Sequence, residues 1–238
     1  MMVKGIPAIV LAGGLGTRLR SVISDMPKPM APVSGKPFLH YIFLYLQKQG
    51  ITDVVLSVGY RSETIQEFLG SKYADINIQY AIENEPLGTG GGIAQAMAMI
   101  DTDAFVLNGD TFFDMDLSDL YEFYQKAHGD IALALKRMYH FDRYGTVEIG
   151  NQNRVLQFHE KQYKTEGLIN GGVYVLSKDL FKKVEEIKES PLPQKFSFEK
   201  DILEKHLLPL HYHGKEFKGY FIDIGIPQDY QKAQEDFK

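Results

Sequence analysis

The sequence contains no cysteine among its 238 residues. That absence excludes disulfide bonds, catalysis by a thiolate and a zinc site built from cysteines. An excess of positive charge is also missing, because the formal net charge is −5 at pH 7. A general nucleic-acid binder needs basic residues to neutralise phosphates, so the composition argues against a nucleic-acid partner.

Long apolar segments are missing as well. No apolar run is long enough to cross a bilayer, and the N-terminus lacks the apolar core and the cleavage site of a signal peptide. We therefore expect no membrane partner and a cytoplasmic location. The length and the 44% hydrophobic content are those of a globular protein that can bury a sizeable core.

The first half of the chain alternates short apolar runs with helical patterns. Strands are predicted over residues 8–11, 54–58, 76–82 and 104–107, and helices over residues 37–49, 63–69 and 93–100. Alternation of this kind predicts an α/β fold with a mostly parallel sheet flanked by helices.

From about residue 130 the pattern becomes mixed and more antiparallel. Strands are predicted over residues 131–136, 146–149, 155–159, 172–176 and 217–222, and helices over 178–188, 198–207 and 227–236. No linker rich in Gly, Ser or Pro separates the halves, so we predict one domain over residues 1–238. No hexapeptide period is present, so we expect no β-helix in this sequence.

The run LAGGLGTRLR at residues 11–20 follows the first predicted strand. Its glycines expose backbone N–H groups at the carboxyl edge of the sheet, where anions bind. Leu19 stands where a dinucleotide fingerprint needs its third glycine, and Gly16-Thr17-Arg18 replaces the ending of a P-loop. The run therefore predicts a phosphate-binding loop of neither common class.

A lysine between two prolines, Pro27-Lys28-Pro29, follows this loop. The prolines restrict the backbone and so reduce the entropy lost when the ammonium is held in place. Alone, the tripeptide is typical of an exposed surface turn. Next to an anion-binding loop, it predicts a clamp on phosphates.

A glycine-rich run occupies residues 83–92, with four glycines in five positions before the predicted helix. Such a run would let a flat ligand approach the backbone, and the helix N-terminus favours an anion. A flexible loop is the alternative interpretation.

Two aspartates, Asp110 and Asp223, each stand at the end of a predicted strand. Mg²⁺ binds one or two carboxylates together with phosphate oxygens, so these two side chains could share one metal ion. Helix capping or turn formation is the alternative for each aspartate taken singly.

Three other polar groups have two interpretations each. Glu160-Lys161 suits a sugar hydroxyl and a phosphate, or else forms a solvated ion pair. Asp114-Met115-Asp116 resembles the DxD element of glycosyltransferases, but its position before Leu117 favours capping of the next helix. His206, His211 and His213 lack a carboxylate at ligand spacing, which disfavours a zinc site.

With these stretches in view, the chain resembles the sugar-1-phosphate nucleotidyltransferases over nearly its full length. The resemblance is carried by residues 11–19 and 27–29, which match the N-terminal signature of that family. It implies a Rossmann-like, GT-A-like mixed sheet with a smaller antiparallel sugar-binding subregion. Residues 1–129 would mainly bind a nucleoside triphosphate and residues 130–238 a sugar 1-phosphate.

The resemblance also implies roles for individual residues. Arg18, Lys28 and Asp110 would be catalytic, and Asp110 and Asp223 would bind Mg²⁺ as the cofactor. The residues implied to bind the nucleotide are Leu11, Ala12, Gly13, Gly14, Gly16, Thr17, Glu85, Pro86, Gly88, Thr89 and Asn108. The residues implied to bind the sugar phosphate are Gly109, Gly145, Glu160, Lys161 and Asn170.

Two glutamates bear on the choice of nucleotide. Thymidylyl and uridylyl members of the family often carry a glutamine before the glycine-rich turn, whereas this chain has Glu83 and Glu85. A carboxylate accepts hydrogen bonds from N1–H and the 2-amino group of guanine and cannot donate to a uracil or thymine carbonyl. GTP is therefore the expected nucleotide, and which glutamate reaches the base is open.

The expected sugar follows from the resemblance alone, which is strongest to members that act on D-glycero-D-manno-heptose 1-phosphate. The stretches that carry that likeness are residues 29–32, 36–39, 85–91, 107–113, 141–147, 168–172 and 221–225. Mannose 1-phosphate with GTP and N-acetylmuramate 1-phosphate with a uridylyl donor are alternatives. A glycosyltransferase using residues 114–116 and a non-catalytic homologue are further ones, and the sequence specifies no oligomeric state.

Overall fold

The computed structural model describes residues 3, 5–14, 26–205 and 209–238. In its first half, the strands and helices are β1 (Ala8–Leu11), β2 (Pro32–Val33), β3 (Lys36–Pro37), α1 (Phe38–Lys48), β4 (Asp53–Val58), α2 (Ser62–Leu69), β5 (Lys72–Tyr73), β6 (Ile76–Ile82), α3 (Gly88–Met97), β7 (Ala104–Asn108), β8 (Thr111–Phe113) and α4 (Leu117–Ala127). A short 3₁₀ helix covers Lys28–Met30.

The second half is built mainly from long strands. Its elements are β9 (Ile131–Phe141), β10 (Thr146–Ile149), β11 (Val155–His159), β12 (Lys164–Leu176), α5 (Leu180–Lys188), β13 (Tyr212–Phe217), β14 (Phe221–Asp223) and α6 (Pro227–Asp236). A 3₁₀ turn covers Asn151–Asn153, and a π-helix covers Phe198–Leu203.

Strands from both halves share one sheet in the order β11-β10-β12-β7-β1-β4-β6-β5, and β9 pairs with β12 and β13. At its centre β1 pairs in parallel with β4 and β7, and β4 pairs in parallel with β6. β12 pairs antiparallel with β7, β9 and β10. The predicted α/β fold with a mostly parallel centre and a more antiparallel second region is therefore confirmed.

The core lies on both faces of this sheet because side chains alternate along each strand. In β1, Ile9 packs into one hydrophobic cluster, whereas Ala8 and Val10 pack into the other. All three are fully buried, which is why the strand reads as a continuous apolar run. No helix in the described part of the chain is long and apolar enough to span a bilayer.

The predicted strand over residues 217–222 is wrong. The chain instead forms β13, which pairs in parallel with β9, and β14, which pairs antiparallel with β8. Between them, a Cβ on Gly219 would lie 1.5 Å from the Asp114 carbonyl oxygen. The backbone therefore passes too close to Asp114 at this glycine for a side chain, and pairing changes to another strand.

Two other predicted boundaries also change. The predicted helix over 198–207 is a π-helix over Phe198–Leu203, with the Ser197 hydroxyl accepting from the Lys200 N–H, and residues 206–208 lie outside the described ranges. β12 starts eight residues before the predicted 172–176 strand, because its polar amino-terminal half pairs with β9.

Candidate active site

The central parallel strands end at the same edge of the sheet. The Ala12 N–H donates to the Ser57 carbonyl oxygen (2.8 Å), and the Gly109 N–H donates to the Leu11 carbonyl oxygen (2.9 Å). A Cβ on Gly109 would lie 2.5 Å from that oxygen, so a glycine is needed where the two chains meet. The residues that follow β1 and β7 therefore lie side by side.

Gly16, Thr17 and Arg18 lie outside the described residues, and the roles implied for them stay predictions.

An acidic pair and one lysine converge at this edge, and we call Lys28, Asp110 and Asp223 the lysine–aspartate cluster. The Lys28 ammonium contacts the Asp110 carboxylate and lies 3.6 Å from Asp223 Oδ1. All three side chains are largely shielded from solvent, with 14%, 34% and 17% of their surface exposed. Three segments far apart in sequence thus meet at one point.

Strand pairing explains how the cluster forms. Asp223 ends β14, and its Cα partner in β8 is Thr111, the residue after Asp110. The Ile224 N–H also donates to the Asp110 carbonyl oxygen (3.0 Å). Lys28 begins the 3₁₀ helix that follows Pro27, and the proline fixes the entry to this turn.

Gly225 leaves the space that the lysine occupies. A Cβ on this residue would lie 2.0 Å from Lys28 Nζ and 2.8 Å from Asp223 Oδ1. Its backbone N–H donates to Asp223 Oδ1 at 2.7 Å, which orients the carboxylate. A glycine at this position therefore allows the ammonium to approach both aspartates.

The charges in the cluster are compatible with a divalent cation. Burial, together with the negative charge of Asp110, raises the pKa of the Asp223 carboxyl, and the Lys28 ammonium opposes this rise. The Asp110 and Asp223 carboxylates lie close together around the Lys28 ammonium. Two carboxylates are a suitable donor set for Mg²⁺, which would take its other ligands from phosphates and water. Across the described ranges, no group of three or more His, Asp and Glu side chains could hold a metal.

A cavity of about 620 Å³ opens beside the start of the phosphate loop. It is lined by Leu11, Gly13, Gly14, Ser57, Gly59, Tyr60, Glu83, Asn84, Pro86, Gly88 and Thr89. The lining includes six of the residues expected to bind the nucleotide. Of the other expected residues, Ala12 is fully buried, Asn108 is half-buried at the end of β7, and Glu85 is exposed and outside the lining.

Sequence reasoning missed the contribution of β4 to this cavity. Ser57, Gly59 and Tyr60 lie at the carboxyl end of that strand, next to β1 in the sheet. Gly59, directly after the apolar run 54–58, was the feature of the sequence that could have indicated this contribution.

Glu83 is held in a defined position inside this cavity. Its Oε1 accepts from the Ser57 hydroxyl (3.0 Å), and its Oε2 accepts from the Leu87 N–H (2.9 Å). A Cβ on Gly13 or Gly92 would lie within about 3 Å of Oε1, so both glycines make room for the carboxylate. A carboxylate has about four acceptor positions, which leaves two for a ligand.

The glycine-rich run differs from its predicted position. Helix α3 begins at Gly88, so the glycines form its first turns and do not precede it. A Cβ would lie 2.5 Å from the Phe196 carbonyl oxygen at Gly88, 2.3 Å from the Phe196 ring at Gly90 and 2.3 Å from the Gln194 carbonyl oxygen at Gly91. These three glycines admit the backbone and ring of residues 194–196. Gly88 also lines the larger cavity, and the expectation that the run lets a flat ligand approach the backbone stays a prediction.

A second cavity, of about 530 Å³, reaches the lysine–aspartate cluster at Asp223. Its lining is Arg143, Tyr144, Lys161, Asp223, Gly225, Ile226, Pro227 and Gln228. Arg143 donates to the Gln228 side-chain oxygen at 3.0 Å. Burial raises the pKa of the Tyr144 hydroxyl, so it stays protonated at neutral pH and can donate a hydrogen bond.

Five residues were expected to bind the sugar phosphate, and Lys161 is the one among them that lines this cavity. Glu160 is exposed, and a Cβ on Gly145 would lie 2.6 Å from the His159 carbonyl oxygen, where β10 and β11 meet. Asn170 donates to the Tyr174 hydroxyl (2.7 Å) and accepts from the Gly172 N–H (3.0 Å). The sugar-phosphate roles of Gly109, Gly145, Glu160, Lys161 and Asn170 stay predictions.

Asp116 caps helix α4. Its carboxylate accepts from the Ser118 N–H (2.8 Å) and the Asp119 N–H (3.3 Å), and Met115 beside it is buried. The capping interpretation of the Asp114-Met115-Asp116 stretch is therefore confirmed.

Residues 7–238 match the Nucleotidyl transferase family. The chain is 51% identical over 232 residues to D-glycero-alpha-D-manno-heptose 1-phosphate guanylyltransferase of Aneurinibacillus thermoaerophilus, covering 97% of this chain and 98% of that protein. It is also 51% identical to the Campylobacter jejuni protein of the same name, over 94% of this chain and 96% of that protein.

A solved structure agrees with these sequence relatives. The crystal structure of HddC from Yersinia pseudotuberculosis complexed with GMP-PN superposes with a TM-score of 0.84 at 39% identity, over 98% of this chain and all of that chain. The family match and these relatives show that the chain belongs to the nucleotidyl transferase family.

Proposed function

We propose that the chain transfers GMP from GTP to D-glycero-D-manno-heptose 1-phosphate and releases pyrophosphate. The connection of the lysine–aspartate cluster to both cavities carries this proposal. Asp223 and Gly225 line the smaller cavity, and Gly109, next to Asp110, bonds to Leu11, which lines the larger one. The names of the two relatives at 51% identity support the choice of GTP and heptose.

The chemistry is an in-line transfer between two phosphates. An oxygen of the sugar 1-phosphate forms a bond to the α-phosphorus of GTP, and the bond from that phosphorus to pyrophosphate breaks. The attacking oxygen is already an anion near neutral pH, so no general base is needed. The protein has to hold two polyanions together and stabilise the charge that develops.

Each group in the cluster has a defined task in this account. Lys28 supplies positive charge to the phosphates, and Asp110 and Asp223 would hold Mg²⁺ as the cofactor. The ion would supply charge neutralisation at the phosphate oxygens. Lys161 would bind the sugar phosphate, and Arg18 the departing pyrophosphate. Because GTP is the donor, we propose the cytoplasm as the place of the reaction.

The substrates can be tested by measuring pyrophosphate release with Mg²⁺. Four nucleoside triphosphates are combined with the 1-phosphates of the heptose, mannose, glucose and N-acetylmuramate. Release with GTP and the heptose phosphate is the expected result. Release with a different pair would retain the reaction and reject the substrates, and no release in any combination would reject the reaction.

Mannose 1-phosphate is the second candidate sugar. The chain is 32% identical over 241 residues to a protein of Mycobacterium tuberculosis named mannose-1-phosphate guanylyltransferase, covering 99% of this chain and 66% of that protein. The lower identity ranks this sugar behind the heptose, and the same assay compares the two directly.

Glu83 is the glutamate that we expect to read guanine, because its carboxylate lines the larger cavity while Glu85 lies outside the lining. In Glu83→Gln, the preference for GTP over ITP is expected to fall by about tenfold, since ITP lacks the 2-amino group and a charged hydrogen bond is worth about 1.5–3 kcal/mol. Ratios of kcat/KM for the two nucleotides give the measurement.

Glu85→Gln is the matched control for this prediction, and it should keep the preference of the unmodified protein. Loss of the preference in Glu85→Gln, with Glu83→Gln unchanged, would assign guanine recognition to the other glutamate.

A further inference from the structure

The wall of the larger cavity is attached to a segment of the second half. The Phe196 N–H donates to the Leu87 carbonyl oxygen (3.0 Å), and the Gly90 N–H donates to the Phe196 carbonyl oxygen (3.0 Å). The glycines at 88, 90 and 91 allow this close approach. The start of α3 therefore rests on residues 194–199 and has little room to move independently.

The hydroxyl of Thr89 is the polar centre of this contact. It accepts a hydrogen bond from the Phe198 N–H (2.9 Å) and donates its hydrogen to Glu199 Oε2 (2.7 Å). A hydroxyl has one hydrogen, so Thr89 cannot also donate to a ligand while this bond lasts. Thr89 lines the cavity, but its donor is directed at a carboxylate outside the lining.

Glu199 is itself held in place. The Ser197 hydroxyl donates to the same oxygen, Oε2, at 3.2 Å. The Glu199 side chain is half-buried and belongs to the π-helix that carries Phe198 and Ile202 into the core. These hydrogen bonds therefore hold the Glu199 carboxylate as an acceptor next to the first turn of α3.

The contact extends to Glu83, the carboxylate that we expect to read guanine. Leu87 donates its N–H to Glu83 and accepts at its carbonyl oxygen from Phe196, so one peptide segment connects the two carboxylates. A run with four glycines in five positions loses much conformational entropy when it is fixed. Fixing it before the ligand arrives lowers the cost of binding.

We propose that Glu199 is a positioning residue for the nucleotide: through the Thr89 hydroxyl it holds the start of α3 in the conformation that receives GTP. The inference rests on the proposed function, since it takes the larger cavity as the nucleotide site. Loss of Glu199 weakens nucleotide binding more than turnover, because the chemical step lies at the lysine–aspartate cluster.

The test compares four single variants in the pyrophosphate-release assay. Glu199→Ala and Thr89→Val are expected to raise the KM for GTP by about tenfold, the effect of losing one hydrogen bond to a charged group. The kcat at saturating GTP and the KM for the sugar phosphate should stay within about twofold. Glu199→Gln and Thr89→Ser keep an acceptor and a donor, so both should retain a KM close to that of the unmodified protein.

Two controls separate positioning from a general loss of structure. The exposed Glu204 lies five residues further along, and Glu204→Ala should leave all constants unchanged. The double variant Thr89→Val/Glu199→Ala should match the single variants, because both remove the same hydrogen bond.

Two results would overturn the inference. An unchanged KM for GTP in Glu199→Ala overturns it. A lowered Tm with equal rises in the KM of both substrates overturns it as well, because that pattern is general destabilisation. Absence of pyrophosphate release by the unmodified protein rejects the proposed function instead, so the two failures are distinguishable.

Discussion

Replacing Asp110 with alanine is expected to lower the kcat for pyrophosphate release by about 10²–10³-fold, the usual effect of removing one group that stabilises transition-state charge. The carboxylate contacts the Lys28 ammonium and, in our proposal, binds Mg²⁺ together with Asp223. Its loss leaves a single carboxylate for the metal and one fewer partner for the lysine. Steady-state rates at saturating GTP and sugar phosphate measure the effect.

Asp114→Ala is the matched control for this prediction. Asp110 and Asp114 stand directly before and directly after β8. The Asp114 side chain is exposed. We expect Asp114→Ala to keep most of the activity. If Asp114→Ala were inactive and Asp110→Ala active, the glycosyltransferase reading of residues 114–116 would replace our account.

The second large effect is expected from a single added methyl group. In Gly225→Ala, the new Cβ would lie 2.0 Å from Lys28 Nζ, so the ammonium has to leave its place between the aspartates. We expect kcat to fall by about 10²-fold or more, similar to the loss caused by Lys28→Ala. Circular dichroism should show a folded protein, because the displaced group is the far end of a flexible side chain.

The double variant Lys28→Ala/Gly225→Ala tests the cause of that loss. If the methyl group acts by displacing the lysine, the double variant should be no slower than Lys28→Ala alone. If the double variant instead shows the product of the two single-variant losses in kcat, Gly225 acts in another way, for example through its hydrogen bond to Asp223.

The central strands could be predicted because their chemistry is local. β1, β4, β6 and β7 are short runs of β-branched and other apolar residues, and the structure places all four in the parallel centre of the sheet. The ends of such strands share one edge, so Asp110 could be assigned to that edge from sequence alone. The prediction of a single domain stays a prediction, which the continuous hydrogen bonding of the sheet supports.

Other parts of the site depend on contacts between segments that are far apart in the chain, and local sequence patterns do not predict such contacts. The proximity of Asp223 to Asp110 requires β14 to pair with β8, in the region where the sequence predicted one strand and the structure has two. The close contacts of Gly88, Gly90 and Gly91 with residues 194–196 could not be predicted, because the two segments are about a hundred residues apart in the chain. Arg143 and Gln228 meet across 85 residues.

The central claim is that the α-phosphate of GTP moves to the sugar phosphate. Its most direct test is a reaction of the purified protein with Mg²⁺, heptose 1-phosphate and GTP that is radiolabelled in the α-phosphate, followed by separation of the products. We predict that the label appears in a GDP-sugar in amounts equal to the pyrophosphate released. Label in GMP, or label that remains in GTP while the sugar phosphate is unchanged, would contradict nucleotidyl transfer by this site.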